Sequence, residues 1–316
     1  MILILSDAGD NTTVQVMRWL DSFSASYTRI NLEDEIRIQK ITNDCIRLIV
    51  SDEDVDFEGI NSVWYRRGTF NMPSMISDER IPKNVLRDFQ DAERKAVEEY
   101  LHYKLREKKS ISSYLTSFCN KLIMLDEAQK IGLKVPPTLI TGNSGELLKK
   151  YKGTRQGIIN KPIGIRNSFN TLENVWSLYT NEVEESSIVK DTHFFPSLFQ
   201  TKIKKRYEIR TFILHNRCWS MAIFSQGNPQ TEVDFRHYDV EKPNRRVPYT
   251  LPGHIEAKLI ELCKKLGLNS GSADFIVGED MDFYFLEINP VGQFGFVSYN
   301  CNYAIEKEIA LNLIGN

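Results

Sequence analysis

Two acidic residues and an asparagine near the end of the sequence are spaced to share a metal ion. The segment SADFIVG is followed by a polar turn and then by DFYFLEINPVGQFGF. Side chains two positions apart on a strand point to the same face, so Glu287 and Asn289 project together. If the two segments pair as a hairpin, Asp274 lies nearby on that face. Two carboxylates and an amide oxygen suit Mg²⁺, which keeps positions for water and nucleotide phosphates.

A solvated polar edge is the simpler explanation of the same three residues, because acidic side chains on strands usually face water. The surroundings of Glu287 favour the metal site, since a carboxylate among apolar side chains needs a partner. Those apolar neighbours are Tyr284, Phe285, Leu286 and Ile288. Both interpretations stay open from these residues alone.

Two lysines have settings that suit contact with a phosphate. Lys121 begins an amphipathic helix, and Lys161 ends an apolar strand where Pro162 keeps the backbone extended. A lysine at a strand end beside a small loop can place its ammonium group on a phosphate. Lone lysines are usually surface charges, so solvation also explains each residue by itself.

A third group of residues could bind the rest of a nucleotide. Phe199–Ile203 is predicted to be an exposed strand whose backbone groups can meet an adenine edge. Glu208 and Arg210 share one face of the segment that follows. The carboxylate could accept hydrogen bonds from ribose hydroxyls, and the guanidinium could hold a phosphoryl group through two parallel hydrogen bonds. A cross-strand salt bridge is the alternative for these charges.

Composition argues against several other classes of protein. The 316 residues include 40 Lys and Arg and 42 Asp and Glu, a formal charge of −2, whereas a nucleic-acid surface would show a basic excess. No apolar run approaches the ~20 residues of a membrane span, and the first residues lack the basic segment of a signal peptide. Five scattered cysteines without a C-x-x-C pair argue against disulfides or structural zinc. We expect a cytoplasmic protein that binds neither nucleic acid nor membrane.

The elements that must position these residues form α/β lobes. Alternating apolar runs and helical patterns predict βαβ units over roughly the first 110 residues. The predicted strands are Met1–Leu5, Tyr27–Asn31, Ile46–Ser51, Ser62–Tyr65, Gly157–Lys161, Phe199–Ile203, Ser272–Val277 and Phe283–Ile288. The predicted helices are Val14–Phe23, Lys83–Lys108, Asn120–Gly132, Glu146–Tyr151, one near Thr171–Thr180, and Ile255–Leu266. Apolar residues of the second helix fall near one stripe. No G-x-G-x-x-G follows the first strand, so dinucleotide binding is not expected there.

From Asn120 to about Ser298, these pieces in their order resemble the ATP-grasp superfamily. The matching residues are Lys121, Gly132, Val135, Pro136, Thr138, Lys161, Gln200–Ile203, Glu208, Arg210, Asp274 and Leu286–Pro290. The resemblance implies an ATP-grasp fold with a Rossmann-like N-terminal domain and ATP between two antiparallel sheets. It places Lys121 and Lys161 on the phosphates, Gln200 and Ile203 at the adenine with Lys202 also at the cofactor, Glu208 on the ribose, and Asp274, Glu287 and Asn289 on Mg²⁺.

A narrower resemblance covers nearly the whole chain and is to the graspetide synthetases, which include microviridin-type macrocyclases and grasp-with-spasm peptide maturases. Its features are the strand Met1–Ser6 with Asp10 and Thr13, the run Val63–Gly68, Glu208 with Arg210, Asp234 with Arg236, and Asn289–Phe294. It implies that ATP phosphorylates an Asp or Glu side chain of a ribosomally made precursor peptide, which has a leader and a core. A Ser or Thr hydroxyl or a Lys amine of the same peptide then closes an ester or amide.

The resemblance also implies roles for further residues. Arg210 would offset charge on the transferring phosphoryl group, and Arg236 would hold the acceptor carboxylate or acyl phosphate. Asp234 would act as a base or positioner, although a plain Asp–Arg pair explains it equally. Arg66 and Arg67 could face the peptide, and the leader contact is expected between residues 170 and 201.

Three domains are expected: an N-terminal α/β domain at 1–115, a central ATP-grasp lobe at 116–200, and a C-terminal lobe with the Mg²⁺ site at 201–316. Two alternative functions stay open. One is another ATP-grasp ligase of the glutamate-adding type, and the other is a peptide-binding protein with a degenerate nucleotide fold. A homodimer is also open.

Overall fold

The computed structural model describes residues 1–73, 78, 80–164, 168–170, 175–227 and 241–315. The chain forms two compact units. Unit 1 contains Met1–Phe118, Gln293–Ser298 and Ala304–Asn316, and unit 2 contains Cys119–Gly292 and Tyr299–Tyr303. The division into domains at 1–115, 116–200 and 201–316 stays a prediction, and the return of the last residues to unit 1 was not part of it.

Helices occur in both units. In chain order they are α1 (Asn11–Ser22), α2 (Lys83–Leu105), α3 (Lys121–Lys130), α4 (Ser144–Lys152), α5 (Gly253–Lys265), α6 (Gly295–Cys301) and α7 (Ile305–Ile314). The predicted helices near residues 14–23, 83–108, 120–132, 146–151 and 255–266 are therefore confirmed with shifted ends. Within the described ranges, no helix is long and apolar enough to cross a lipid bilayer.

Unit 1 is built on a four-stranded parallel sheet with the strand order β2-β1-β6-β7. The strands of this unit are β1 (Ile2–Ser6), β2 (Tyr27–Asn31), β3 (Ile36–Ile41), β4 (Ile46–Val50), β5 (Glu53–Asp56), β6 (Ser62–Tyr65) and β7 (Lys109–Ile111). Every residue of β1 is buried, as expected for the central strand of a covered parallel sheet. Strands β3, β4 and β5 form a separate antiparallel sheet.

Helix α7 completes the core of unit 1 although it comes from the far end of the chain. Its residues Ile305, Ile309 and Leu313 are buried. Burial of such a side chain contributes about 1.5–3 kcal/mol. The hydroxyl of Ser62 donates a hydrogen bond to the Leu313 carbonyl at 2.8 Å, which ties the helix to the end of the parallel sheet.

The apolar stripe predicted on the long helix α2 is present but faces solvent. Val85, Phe89, Tyr100 and Tyr103 are exposed, and the most exposed of them is Phe89 at 67%. The helix is held instead by Leu101, His102 and Leu105, the buried residues near its C-terminal end. Periodicity alone therefore located a stripe without telling which face packs.

In the described residues of unit 2 there are two larger antiparallel sheets and a two-stranded sheet. Its strands are β8 (Thr138–Asn143), β9 (Ile158–Lys161), β10 (Ser168–Asn170), β11 (Val175–Ser177), β12 (Asn181–Val183), β13 (His193–Thr201), β14 (Lys205–Leu214), β15 (Arg217–Phe224), β16 (Arg245–Tyr249), β17 (Ser270–Gly278) and β18 (Phe283–Asn289). One sheet has the order β12-β9-β13-β8, the other has the order β16-β15-β14-β17-β18, and β10 pairs with β11.

The five-stranded sheet buries one face against α3 and α5. Ala273, Phe275 and Val277 alternate along β17 and belong to one core cluster with Leu259 and Met124 of the two helices. Because side chains alternate along a strand, this burial places Asp274 on the other face.

Two local predictions for the central part of the chain are wrong. The helix expected near Thr171–Thr180 is replaced, where the structure describes it, by strand β11, which pairs with β10; residues 171–174 lie outside the described residues. Strand pairing outweighs the helical spacing of this short segment. The strand expected to be exposed at Phe199–Ile203 ends at Thr201, and its residues Phe199 and Gln200 are buried.

Candidate active site

Three charged residues form a row across the five-stranded sheet of unit 2. Arg210 of β14 lies opposite Asp274 of β17, and Asp274 lies opposite Glu287 of β18. Residues directly opposite each other on neighbouring strands project from the same face, with Cβ atoms about 4.5–5.5 Å apart. The hairpin that the sequence predicted for Asp274 and Glu287 is therefore present.

A β-bulge in β18 determines the direction of the Glu287 side chain. The pairing passes from Asp274–Glu287 to Phe275–Phe285, so Leu286 is an extra residue on β18. As a result Phe285 and Ile288 both reach the core although they are three positions apart. Bulges reorient neighbouring side chains, and this one leaves Glu287 outside the core beside Asp274.

Arg210 binds the first carboxylate of the row. Its Nη1 atom donates to Oδ1 and Oδ2 of Asp274 at 3.0 and 2.9 Å. The two side chains are only 13% and 15% exposed, so the pair is shielded from water. A cross-strand salt bridge, the alternative suggested by the sequence, is thus formed by Arg210, but its partner is Asp274 and not Glu208.

Lys121 binds the second carboxylate and connects it to the other large sheet. Its Nζ atom lies 2.9 Å from Oε2 of Glu287 and donates to the Pro162 carbonyl at 3.1 Å. Lys121 is the first residue of α3, which Asn120 caps by accepting a hydrogen bond from the Leu122 backbone N–H at 2.9 Å. The end of β9, which carries Lys161, is therefore held next to the carboxylate hairpin.

Asn289 lies two positions beyond Glu287 and is exposed. It pairs with Ser272 of β17. The turn that follows presses so closely on Ser272 that a Cβ atom at Gly292 would come within 2.4 Å of the Ser272 nitrogen. Only glycine fits this approach, which fixes the backbone just beyond Asn289.

These three side chains fit a Mg²⁺ ion that is completed by other oxygens. Within the described ranges, no group of three or more His, Cys, Asp and Glu side chains could hold a metal alone. Asp274, Glu287 and Asn289 supply two carboxylates and an amide, and Mg²⁺ commonly takes its other ligands from water and phosphate groups. Their role as metal ligands stays a prediction.

Glu208 is a buried carboxylate bound by Lys205 and Ser225, neither of which was predicted to have a role at this site. It is 6% exposed and forms an ion pair with Lys205, whose side chain is 7% exposed. The Ser225 hydroxyl donates to Oε1 of Glu208 at 2.9 Å, and the Gln226 amide donates to the Ser225 oxygen at 3.1 Å. The lysine three positions before Glu208 was visible in the sequence, whereas Ser225 comes from a different strand end.

The residues predicted to bind the cofactor near the adenine differ in burial and in their hydrogen-bond or ion-pair partners. Gln200 is 1% exposed, and its amide donates to the Thr138 hydroxyl at 3.0 Å. The Lys202 side chain pairs with Glu182 at 2.8 Å. Ile203 is half-buried in the connection between β13 and β14. Contact of these residues with a nucleotide stays a prediction, and Asp234 and Arg236 lie outside the described residues.

The two arginines predicted to face a peptide belong to unit 1 and differ in burial. Nε of Arg66 lies 2.8 Å from Oδ2 of Asp10, and both side chains are almost fully buried. Burial by itself would raise the pKa of Asp10, but Arg66 and hydrogen bonds from Thr12 and Thr13 bring it below its ordinary value. The Arg66 guanidinium also lies over the Phe294 ring. Arg67 is 42% exposed in its side chain and lies 3.6 Å from Asp7, so it has more surface for a ligand.

We expect Arg66→Met to destabilise the protein strongly, because it leaves the Asp10 carboxylate buried without its cation. Breaking a buried pair in this way costs about 3–5 kcal/mol. The matched variant Arg67→Met should change stability by less than about 1 kcal/mol, since Arg67 is exposed and lies 3.6 Å from Asp7. Urea unfolding of both variants measures the difference; equal, small effects would contradict the structural role of Arg66.

Comparison with known proteins defines the fold. Neither protein-family models nor curated protein sequences match the chain. Solved structures do match it. Macrocyclase MdnC from Microcystis aeruginosa MRC, bound to its precursor peptide MdnA, aligns over 100% of this chain and 99% of its own with a TM-score of 0.81 and 22% identity. A RiPP-associated ATP-grasp ligase from Chryseobacterium gregarium, in complex with ADP and a leader and core peptide, aligns over 99% and 96% with a TM-score of 0.85 and 24% identity.

More distant enzymes share the same architecture. D-cycloserine synthetase DcsG aligns over 99% of this chain and 100% of its own, with a TM-score of 0.56 and 13% identity. The chain therefore has the ATP-grasp fold, as the sequence predicted. Within that fold it is similar over its whole length to structures of peptide macrocyclases and RiPP-associated ligases.

Proposed function

We propose that the protein is an ATP-dependent peptide macrocyclase that forms side-chain ester or amide cross-links in a ribosomally made precursor peptide. The observation that carries this proposal is the row Arg210–Asp274–Glu287, whose last carboxylate is bound by Lys121 from the start of α3. Cations and hard oxygen ligands converge there, as phosphoryl transfer requires. Solved structures of the same fold in complex with ADP, Mg²⁺ and precursor peptides support the cofactors and the substrate class.

The proposed reaction needs little covalent work from the protein. The substrate carboxylate attacks the γ-phosphoryl group of ATP, which gives an acyl phosphate and ADP. A hydroxyl or amine of the same peptide then attacks the acyl carbon, loses its proton and releases phosphate. Mg²⁺ held by Asp274, Glu287 and Asn289 would neutralise phosphate charge, and Lys121, Lys161 and Arg210 would add to that effect.

Other roles in this proposal rest on the resemblance of the sequence. Arg236 would hold the acceptor carboxylate or acyl phosphate, and Asp234 would position it or act as a base. Gln200 and Ile203 would line the adenine with Lys202 also at the cofactor, and Arg67 would face the peptide. A cytoplasmic location and a homodimer stay predictions.

The central part of unit 2 offers apolar surface for a peptide leader. Between residues 176 and 195, several large apolar side chains are exposed, including Trp176 at 65%, Val189 at 66% and Phe195 at 86%. Exposed apolar side chains of this size are typical of interaction surfaces when they occur together. We propose that the leader binds in this segment and that the core peptide then reaches the charged row.

Glu287→Gln should abolish turnover while the protein stays folded, because it removes the charge of a metal ligand without changing its volume. ATP-dependent loss of water from the precursor, followed by mass spectrometry, measures this. The control is Asp282→Asn, which removes a carboxylate from the turn of the same hairpin, where it pairs with Lys134. Turnover of Glu287→Gln at the wild-type rate would contradict the metal assignment.

The same mass measurement separates the proposed function from its alternatives. Cyclisation removes one water per cross-link, whereas a glutamate-adding ligase increases the mass by a residue. A peptide-binding protein with a degenerate nucleotide fold would leave the peptide mass unchanged and consume no ATP.

Ser225→Ala should weaken recognition of the ribose, because the Ser225 hydroxyl helps to hold the Glu208 carboxylate in place. The wild type should bind ADP more tightly than 2′-deoxy- or 3′-deoxy-ADP, and this preference should fall by about fivefold in the variant. Isothermal titration measures the three affinities without turnover. Ser220→Ala is the matched control, since it removes a buried hydroxyl that binds Thr211 in the same sheet. An unchanged preference in Ser225→Ala would exclude this role.

Removal of the leader from the precursor should slow processing strongly. Several acidic and hydroxyl side chains of a core peptide are chemically equivalent, so binding energy from a separate segment must hold the core in register. The test compares full-length precursor with a core-only peptide, and follows ATP consumption and loss of water by mass. Equal rates would exclude leader recognition and favour a small-molecule or free-terminus substrate.

A further inference from the structure

Each proposed metal ligand that carries charge is bound by a cation of the protein itself. Glu287 is paired with Lys121 at 2.9 Å, and Asp274 is paired with Arg210 at 2.9 Å. These pairs are partly to largely shielded, since the four side chains are between 13% and 32% exposed. Attraction between partly buried charges is stronger than between exposed ones, so the pairs are not easily separated.

The same two cations are those that the proposed function assigns to phosphate groups. The Lys121 ammonium group is already shared between Glu287 and the Pro162 carbonyl, and the guanidinium of Arg210 meets both oxygens of Asp274. A metal ion that binds the two carboxylates without a nucleotide would face both cations at close range. That repulsion is relieved when the side chains of Lys121 and Arg210 can move to the phosphate groups of a nucleotide.

We infer that Lys121 and Arg210 hold the place of the metal ion on the two carboxylates and transfer to phosphate groups when Mg²⁺ and nucleotide arrive together. The inference rests on the proposed function and adds a rule for how that site is filled. Metal and nucleotide bind with positive cooperativity. A metal ion alone displaces Lys121 and Arg210 from their carboxylates, and a nucleotide alone draws the two cations away from Asp274 and Glu287. Each ligand therefore binds weakly by itself. Linkage requires the same coupling factor whichever ligand is varied.

The inference predicts opposite effects of one substitution on the two ligands. Lys121→Met removes the Lys121 ammonium group from Glu287, so binding of a metal ion alone becomes tighter by about tenfold. The same substitution removes a phosphate ligand, so binding of ADP in the presence of metal becomes weaker. A residue with a merely structural role would weaken both.

The experiment uses the full chain and Mn²⁺ as the probe, with free Mn²⁺ followed by electron paramagnetic resonance with and without saturating ADP. Wild type should bind Mn²⁺ about tenfold more tightly with ADP than without it. The matched control is Lys134→Met, because Lys134 forms an exposed pair with Asp282 in the turn of the same hairpin. This control should leave both Mn²⁺ affinities unchanged.

Lys121→Gln and Arg210→Gln provide second variants, and thermal unfolding shows which variants are folded. Tighter binding of Mn²⁺ alone in any folded variant of Lys121 or Arg210 supports the inference. Unchanged or weaker binding in all of these variants overturns it. Absence of ADP binding in the wild type would instead contradict the proposed function. The metal-alone comparison still tests the inference in that case, so the two failures are distinguishable.

Discussion

The architecture of the site depends on the placement of two carboxylates opposite each other on neighbouring strands. Like charges in this position repel, so Asp274 and Glu287 can share the face of a sheet only if cations lie beside them. Arg210 supplies one cation from the adjacent strand, and Lys121 supplies the other from the start of α3. Because Lys121 also binds the Pro162 carbonyl, charge neutralisation connects the helix, the end of β9 and the hairpin.

Alternation along β17 makes this charged face and the core depend on each other. Ala273, Phe275 and Val277 are fully buried under α3 and α5, and Asp274 between them points the other way. A shift of the strand by one residue would exchange the two sets of side chains. Packing of the core therefore fixes which face of β17 carries Asp274. The bulge at Leu286 then places Glu287 of β18 opposite Asp274 on the same face.

Local sequence patterns predicted the strands that bear the site residues. They did not predict the ion-pair partners or the packed face of α2, which depend on long-range contacts. The hairpin of Asp274 and Glu287 followed from two strand segments joined by a polar turn, and the bounds of Tyr27–Asn31 and Ser62–Tyr65 were predicted correctly. The partners of the charges could not be predicted, because Arg210 and Asp274 are 64 positions apart and Ser225 reaches Glu208 from another strand. The side of α2 that packs was missed for the same reason, since it is decided by Leu101 and Leu105 meeting distant residues.

The return of α7 to unit 1 affects how the chain can fold during synthesis. The first 118 residues lack the buried side chains of Ile305, Ile309 and Leu313, and Ser62 lacks its partner carbonyl until residue 313 has been made. Between the end of the first segment of unit 1 and this helix lies the whole of β8–β18. At ordinary rates of translation, that interval lasts on the order of tens of seconds. Unit 1 therefore lacks part of its core while the sheets of unit 2 are synthesised, and it is completed only when α7 has been made.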